Sequence, residues 1–193
     1  MNKIIIGTAT AAATAAATIL LGSILANQPA RAWGTWVVET HEYKDASYSI
    51  HDFNSIAGGR DLRVVVRGNP TGTSHAEFEQ SVIALMNDHQ PGYQSQTHFT
   101  SKPTARARES YKVVMVYGGK AVSENEACAG PDAVSADHAG GRVYLTAVFC
   151  WRDERINSVR ARVGGVTSTT DQALADMTSG SMRRMFPNGW RYQ

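Results

Sequence analysis

The sequence is poor in the residues that build known catalytic centres. It has two cysteines, Cys128 and Cys150, and neither belongs to a CxxC or HxxxH pattern. A zinc site held by thiolates therefore has no sequence support. There is no GxSxG elbow, P-loop, GxGxxG or HExxH segment. The six histidines, His41, His51, His75, His89, His98 and His138, include no pair at ligand spacing. Each stands in a polar or turn-like context, which reads as a solvent-facing side chain. Asp52 follows His51, but neighbours in an extended segment point to opposite sides. No metal and no cofactor is implied.

Long apolar runs are also scarce. The longest uncharged stretch lies near the start, within "MNKIIIGTATAAATAAATILLGSILANQPARAW". Lys3 is a short basic region, the run from Ile4 to about Ala26 follows, and Ala30, Arg31 and Ala32 form an A-x-A site. That order reads as a secretory signal peptide over 1–32, cleaved before Trp33. Pro29 fits, because it stops a helix. The other reading is an uncleaved anchor, since the run is long enough to span a bilayer. Membrane contact is expected only in that case. Cleavage removes two of the 19 basic residues, Lys3 and Arg31, and none of the 17 acidic ones. The mature chain is then charge-balanced, so nucleic acid loses its main sequence argument. The expected location is the periplasm or the outside.

Export bears on the cysteines. Two thiols in an oxidising compartment usually pair. A Cys128–Cys150 bond would close a loop of about 20 residues, worth about 3 kcal/mol. Cys150 lies in an apolar strand, where burial blunts a nucleophile.

The mature chain reads as one domain. Residues 33–60 look like an extended arm, with a short edge strand near Thr35–Thr40. In "DLRVVVRGNP", Leu62, Val64 and Val66 alternate with Arg63, Val65 and Arg67, a strand with one apolar face. "RGNPTGTSH" reads as a turn plus helix cap. Ser74 and Glu77 form a capping box. Phe78, Val82, Leu85 and Met86 then share one helix face. "YQSQTHFTSKP" suggests a polar edge strand, and "YKVVMVY" a central one. Ser123 and Glu126 suggest a second capping box on a short helix. Residues 130–141 read as a surface loop.

"RVYLTAVFCW" and "INSVRARV" are strands joined through the charged "RDER". In "STTDQALADMTSGSMRRMFP", Leu174, Met177, Ser181 and Met185 share a helix face, capped by Thr169 or Thr170. The expected fold is α+β: a two-layer sandwich whose four- to five-stranded mixed sheet carries two amphipathic helices on one face. The domain spans 61–187, with a tail at 188–193.

Arg63 and Arg67 on one strand, and Arg160 and Arg162 on another, make candidate basic faces. If the two strands are neighbours, they form one uncovered anion- or partner-binding face. The plainer reading is a solvated face with salt bridges. Asp153 and Glu154 sit at a hairpin tip, away from any cleft a carboxylate pair would need.

"LRVVVRGNP", the helix after it, "THFTSKP", "YKVVMVY", "VYLTAVFC" and "MRRMFP" resemble, in that order, a group of small exported proteins of alphaproteobacteria. These have no assigned activity, and many are described as hypothetical proteins or lipoproteins. The resemblance covers residues 61–187. It rests on Gly68-Asn69-Pro70, Cys128 and Phe149-Cys150, and it implies that the two cysteines act as a pair. Unlike the lipoprotein-like members, this chain has no cysteine at its cleavage site. The expected function is a non-enzymatic envelope domain that binds or scaffolds an unknown envelope protein or ligand. The alternatives are a periplasmic hydrolase or transferase with a dispersed site, or a small anion- or metal-binding module.

Overall fold

The structure is a computed structural model that describes residues 43–44, 48–90, 96–130 and 142–186. The expected signal peptide, the strand expected near Thr35–Thr40, most of the 130–141 loop, His41, His138 and the C-terminal tail lie outside the described residues. The elements are β1 (Tyr43–Lys44), α1 (Ile50–Ala57), β2 (Asp61–Arg67), α2 (His75–Asp88), β3 (His98–Thr100), β4 (Tyr111–Gly118), α3 (Glu124–Ala129), β5 (Arg142–Trp151), β6 (Glu154–Gly164) and α4 (Gln172–Met185). They form one sheet in the order β1-β6-β5-β4-β2-β3. β2 pairs parallel with β3 and β4, while β4–β5 and β5–β6 are antiparallel. The expected α+β sandwich with a mixed sheet is present, and β1 adds only two residues to its far edge.

The alternation seen in β2 decides the layers. Leu62, Val64 and Val66 join Val113, Met115 and Tyr117 of β4 and Leu145, Ala147 and Phe149 of β5 in the main core. Phe78, Val82 and Met86 of α2 cover it, with Leu174, Met177, Met182 and Met185 of α4. Parallel pairing of β2 with β4 requires a crossover, which α2 and β3 supply. Ser74 and Glu77 make the expected capping box at the start of α2.

A third helix shares this face. The chain around "SIHDFNS" is helical rather than extended, so the arm expected over 33–60 does not run to residue 60. The cause is a capping box between Ser49 and Asp52, together with Phe53, Ile56 and Ala57 on one side. Eight residues are too few for a helix to stand alone in water. Packing holds α1: the Phe53 ring lies 4.6 Å from that of Phe186 and 5.9 Å from that of Phe149.

Other corrections are local. Asp171, not Thr169 or Thr170, is the N-cap of α4, and its carboxylate accepts from the backbone N–H groups of Thr167 and Ser168. The β5–β6 connection is tighter than "RDER": only Arg152 and Asp153 turn, with Arg152 at φ 54°. Ser123 caps α3 through the Glu126 N–H, without the reciprocal bond.

Edge strand β3 is finished by side chains. The Asn87 amide of α2 donates to the Phe99 carbonyl at 3.0 Å and accepts from the Phe99 N–H at 3.0 Å. Gln90 donates to the Thr97 carbonyl at 2.6 Å. One amide thus supplies the donor and acceptor that another strand would offer.

Candidate functional site

The second sheet face carries the basic residues. Side chains of paired residues in a sheet point the same way, so the register sets out rows. Arg63, Lys112, Cys150 and Arg155 form one row, and Val65, Val114, Val148 and Ser158 the next. Arg67, Val116, Thr146 and Arg160 follow, then Gly118, Tyr144 and Arg162. Arg63, Arg67, Arg160 and Arg162 therefore share a face, but not as neighbours. β4 and β5 separate their strands, which puts Arg67 and Arg160 about 14 Å apart at ordinary strand spacing. Lys112 completes the face, and Arg155, which precedes Arg160 and Arg162 in the basic run read from β6, joins it. Lys112 was missed because the pattern of each strand read alone does not show cross-strand rows.

Nor is the face uncovered. α3 lies on it, and its Ala127 and Cys128 pack with Val65, Val114, Val116, Val148 and Cys150 in a second, smaller core. Cys128 and Cys150 are joined there, with Cα atoms 5.8 Å apart and both residues fully buried. This is the pairing the sequence suggested, within the geometric window for a disulfide.

Three polar links flank the bond. Arg160 donates to Glu124 of α3 at 2.8 Å, and Arg155 lies 3.5 Å from the same carboxylate. Thr146 Oγ1 accepts from the Val122 N–H and donates to the Val122 carbonyl, each at 3.3 Å. Arg67 is 1% exposed and donates to the Gly130 carbonyl at 2.8 Å. Burial thus takes Arg67 out of any solvent-facing surface, and Glu124 occupies Arg160. Arg63 is exposed, and Arg162 and Lys112 are half-buried. Lys112 also faces Asp153 of the hairpin tip at 3.7 Å.

The four described histidines are all exposed. His98 Nδ1 lies 2.9 Å from Asp61 Oδ1. The other Asp61 oxygen accepts from the Thr104 hydroxyl at 2.6 Å and from its N–H at 2.8 Å. These bonds, those of Thr104 first, hold the Asp61 carboxyl down at about 2. Tyr117 is the opposite case. Burial pushes its phenol far up, while its Oη sits 3.0 Å from Thr178 Oγ1. Among the described residues no group of three or more His, Cys, Asp or Glu side chains is placed to hold a metal. No described helix is long and apolar enough to cross a membrane. The chemistry this face offers is charge and hydrogen bonding around a disulfide.

No family model matches the chain, and no curated protein matches it. Two solved structures are similar in outline. One is a point variant of the PelC dodecamer from Paraburkholderia phytofirmans, with 8% identity and a TM-score of 0.40, covering 80% of this chain and 99% of that one. The other is the PelC dodecamer from the same organism in a second crystal form, with 9% identity, a TM-score of 0.38 and the same coverage.

Proposed function

We propose that the chain is an exported, non-catalytic envelope domain, of the kind found among small exported alphaproteobacterial proteins, that binds or scaffolds a partner in the periplasm or outside the cell. The observation that carries this reading is the buried Cys128–Cys150 pair, which ties α3 to β5. Such bonds form and persist in oxidising compartments. The uncharged N-terminal run followed by Ala30-Arg31-Ala32 supports the same compartment.

The partner surface is the second sheet face beside α3, where Arg63 is exposed and Lys112 and Arg162 are half-buried. A small anion-binding module is the second reading, favoured by the placement of these side chains on one face.

Fractionation of cells producing the full chain tests the export reading. The expected product is a soluble envelope protein beginning at Trp33 with no free thiol after non-reducing denaturation. An intact residue 1 in the membrane fraction, or two free thiols per chain, would overturn it.

A further inference from the structure

Three connections, α1–β2, β3–β4 and β5–β6, meet at one end of the sheet. The β5–β6 turn stands beside the start of β4, with the Arg152 N–H donating to the Ser110 carbonyl at 2.6 Å. The loop between β3 and β4 folds over the start of β2, where Thr104 holds Asp61 and Arg106 donates to the Gly59 carbonyl at 2.7 Å. These connections expose Arg60, Lys102, Arg106, Arg108 and Arg152. Of the acidic groups nearby, Asp61 is engaged by Thr104 and His98, and Asp153 by Lys112, which leaves Glu109 and Glu154. Lys102, Arg108 and Arg152 have no ion-pair partner among the described residues. A charge-balanced mature chain gives no compositional reason for such a cluster.

Trp151 stands among these cations. It is 39% exposed, the large hydrophobic residue left in solvent among those described. The Arg152 guanidinium lies 5.1 Å from the centroid of its ring. An indole with a cation on its face suits the boundary between water and hydrocarbon, where tryptophan concentrates.

We propose that this end of the sheet is a peripheral contact for a lipid surface bearing anionic headgroups. The cations are spread over three connections, at Arg60, at Lys102 to Arg108 and at Arg152, rather than along one strand, which fits a plane better than a threaded polymer. Headgroup phosphates meet Lys102, Arg106, Arg108 and Arg152, and the Trp151 ring enters at headgroup depth. Each basic residue near such a surface strengthens binding about five-fold. The proposal holds whichever partner the second sheet face takes.

The test uses a chain from Gly34 to Gln193, which forms one compact unit and holds every residue of both cores. Without the apolar N-terminal run, binding cannot come from an anchor. It is mixed with vesicles of phosphatidylcholine, with and without phosphatidylglycerol, and bound protein is recovered by flotation. Binding is expected with phosphatidylglycerol only, and it should fall as salt rises. Lys102→Ala with Arg108→Ala should weaken it about 30-fold. Lys120→Ala, at the opposite end of β4, should not, and circular dichroism should show every variant folded. Brominated lipid should quench tryptophan emission in the parent and much less in Trp151→Phe. Equal binding to neutral vesicles, no binding, or an unweakened double variant would overturn the proposal. So would equal affinity for soluble polyphosphate without quenching by lipid, which would point to a soluble polyanion instead.

Discussion

Replacing both cysteines by alanine tests the role of the bond that joins α3 to β5. Cys128 and Cys150 are 22 residues apart. Chain-entropy treatment of a loop that long gives about 3 kcal/mol, because the cross-link restricts the unfolded ensemble. Both sulfurs are buried among Val65, Val114, Val116 and Val148. Their removal leaves small voids costing roughly 1 kcal/mol more. The double variant should therefore be destabilised by about 3–5 kcal/mol, a large share of a typical domain's stability.

The loss should also be uneven. α3 has six residues and cannot persist by propensity. What remains is the Glu124–Arg160 ion pair, the neutral Val122–Thr146 bonds and the charged Arg67 donor on Gly130, neutral bonds being worth about 1 kcal/mol each and those of a charged group about 1.5–3. Native-state hydrogen exchange should then show the Ala127 and Gly130 N–H groups, bonded within α3, losing protection before the β4 amides. Urea denaturation with and without reductant measures the global term. Its slope should steepen on reduction, as the unfolded chain expands. Equal midpoints in the two conditions would refute the entropic reasoning, and exchange as slow in α3 as in β4 would refute the claim that the bond holds this helix down.

Asp61→Asn should flatten the acid limb of the stability curve. The folded carboxyl is held at about 2 against an ordinary 3.8. Its contribution is complete above about pH 5 and is lost as pH falls from there towards 2. Urea midpoints at pH 7 and pH 3 check this, and parallel curves for the two proteins would contradict it. Tyr117→Phe should cost about 1 kcal/mol in urea denaturation: Thr178 keeps its bond to the Leu174 carbonyl, so no group there is orphaned. Arg67→Ala should destabilise by about 2–4 kcal/mol, through lost packing and a bare Gly130 carbonyl, whereas exposed Arg63→Ala should stay within about 0.5 kcal/mol. Thermal denaturation of both distinguishes a buried clamp from a surface cation, and equal costs would remove the distinction.

The main architecture was legible because it rests on local periodicity. The alternation in β2 and the Phe78–Met86 face of α2 each fix which side meets the core, and both do so in the structure. α1 was less visible. Its apolar side is only Phe53, Ile56 and Ala57, and its capping box uses Asp52 where Glu or Gln is more usual. The basic face was half legible. Parity within β2 and β6 put Arg63, Arg67, Arg160 and Arg162 on one side, but strand order is a long-range property. So β4 and β5 between them, the addition of Lys112, and the burial of Arg67 under Gly130 could not be read from single strands. The cysteine pair needed no geometry, since the chain has only two thiols to join.

The Asn87 amide that completes the edge of β3 also has a consequence for the order of folding. A three-residue strand gains little from pairing with β2 alone. Its outer groups find their partners only once α2 has formed and docked with Asn87 in place. β3 should therefore be among the last strands to set, after the longer antiparallel β4–β5–β6 pairing. The Phe99 N–H, bonded to a helix side chain rather than to a strand, then becomes a clock: the moment its exchange slows marks the docking of α2.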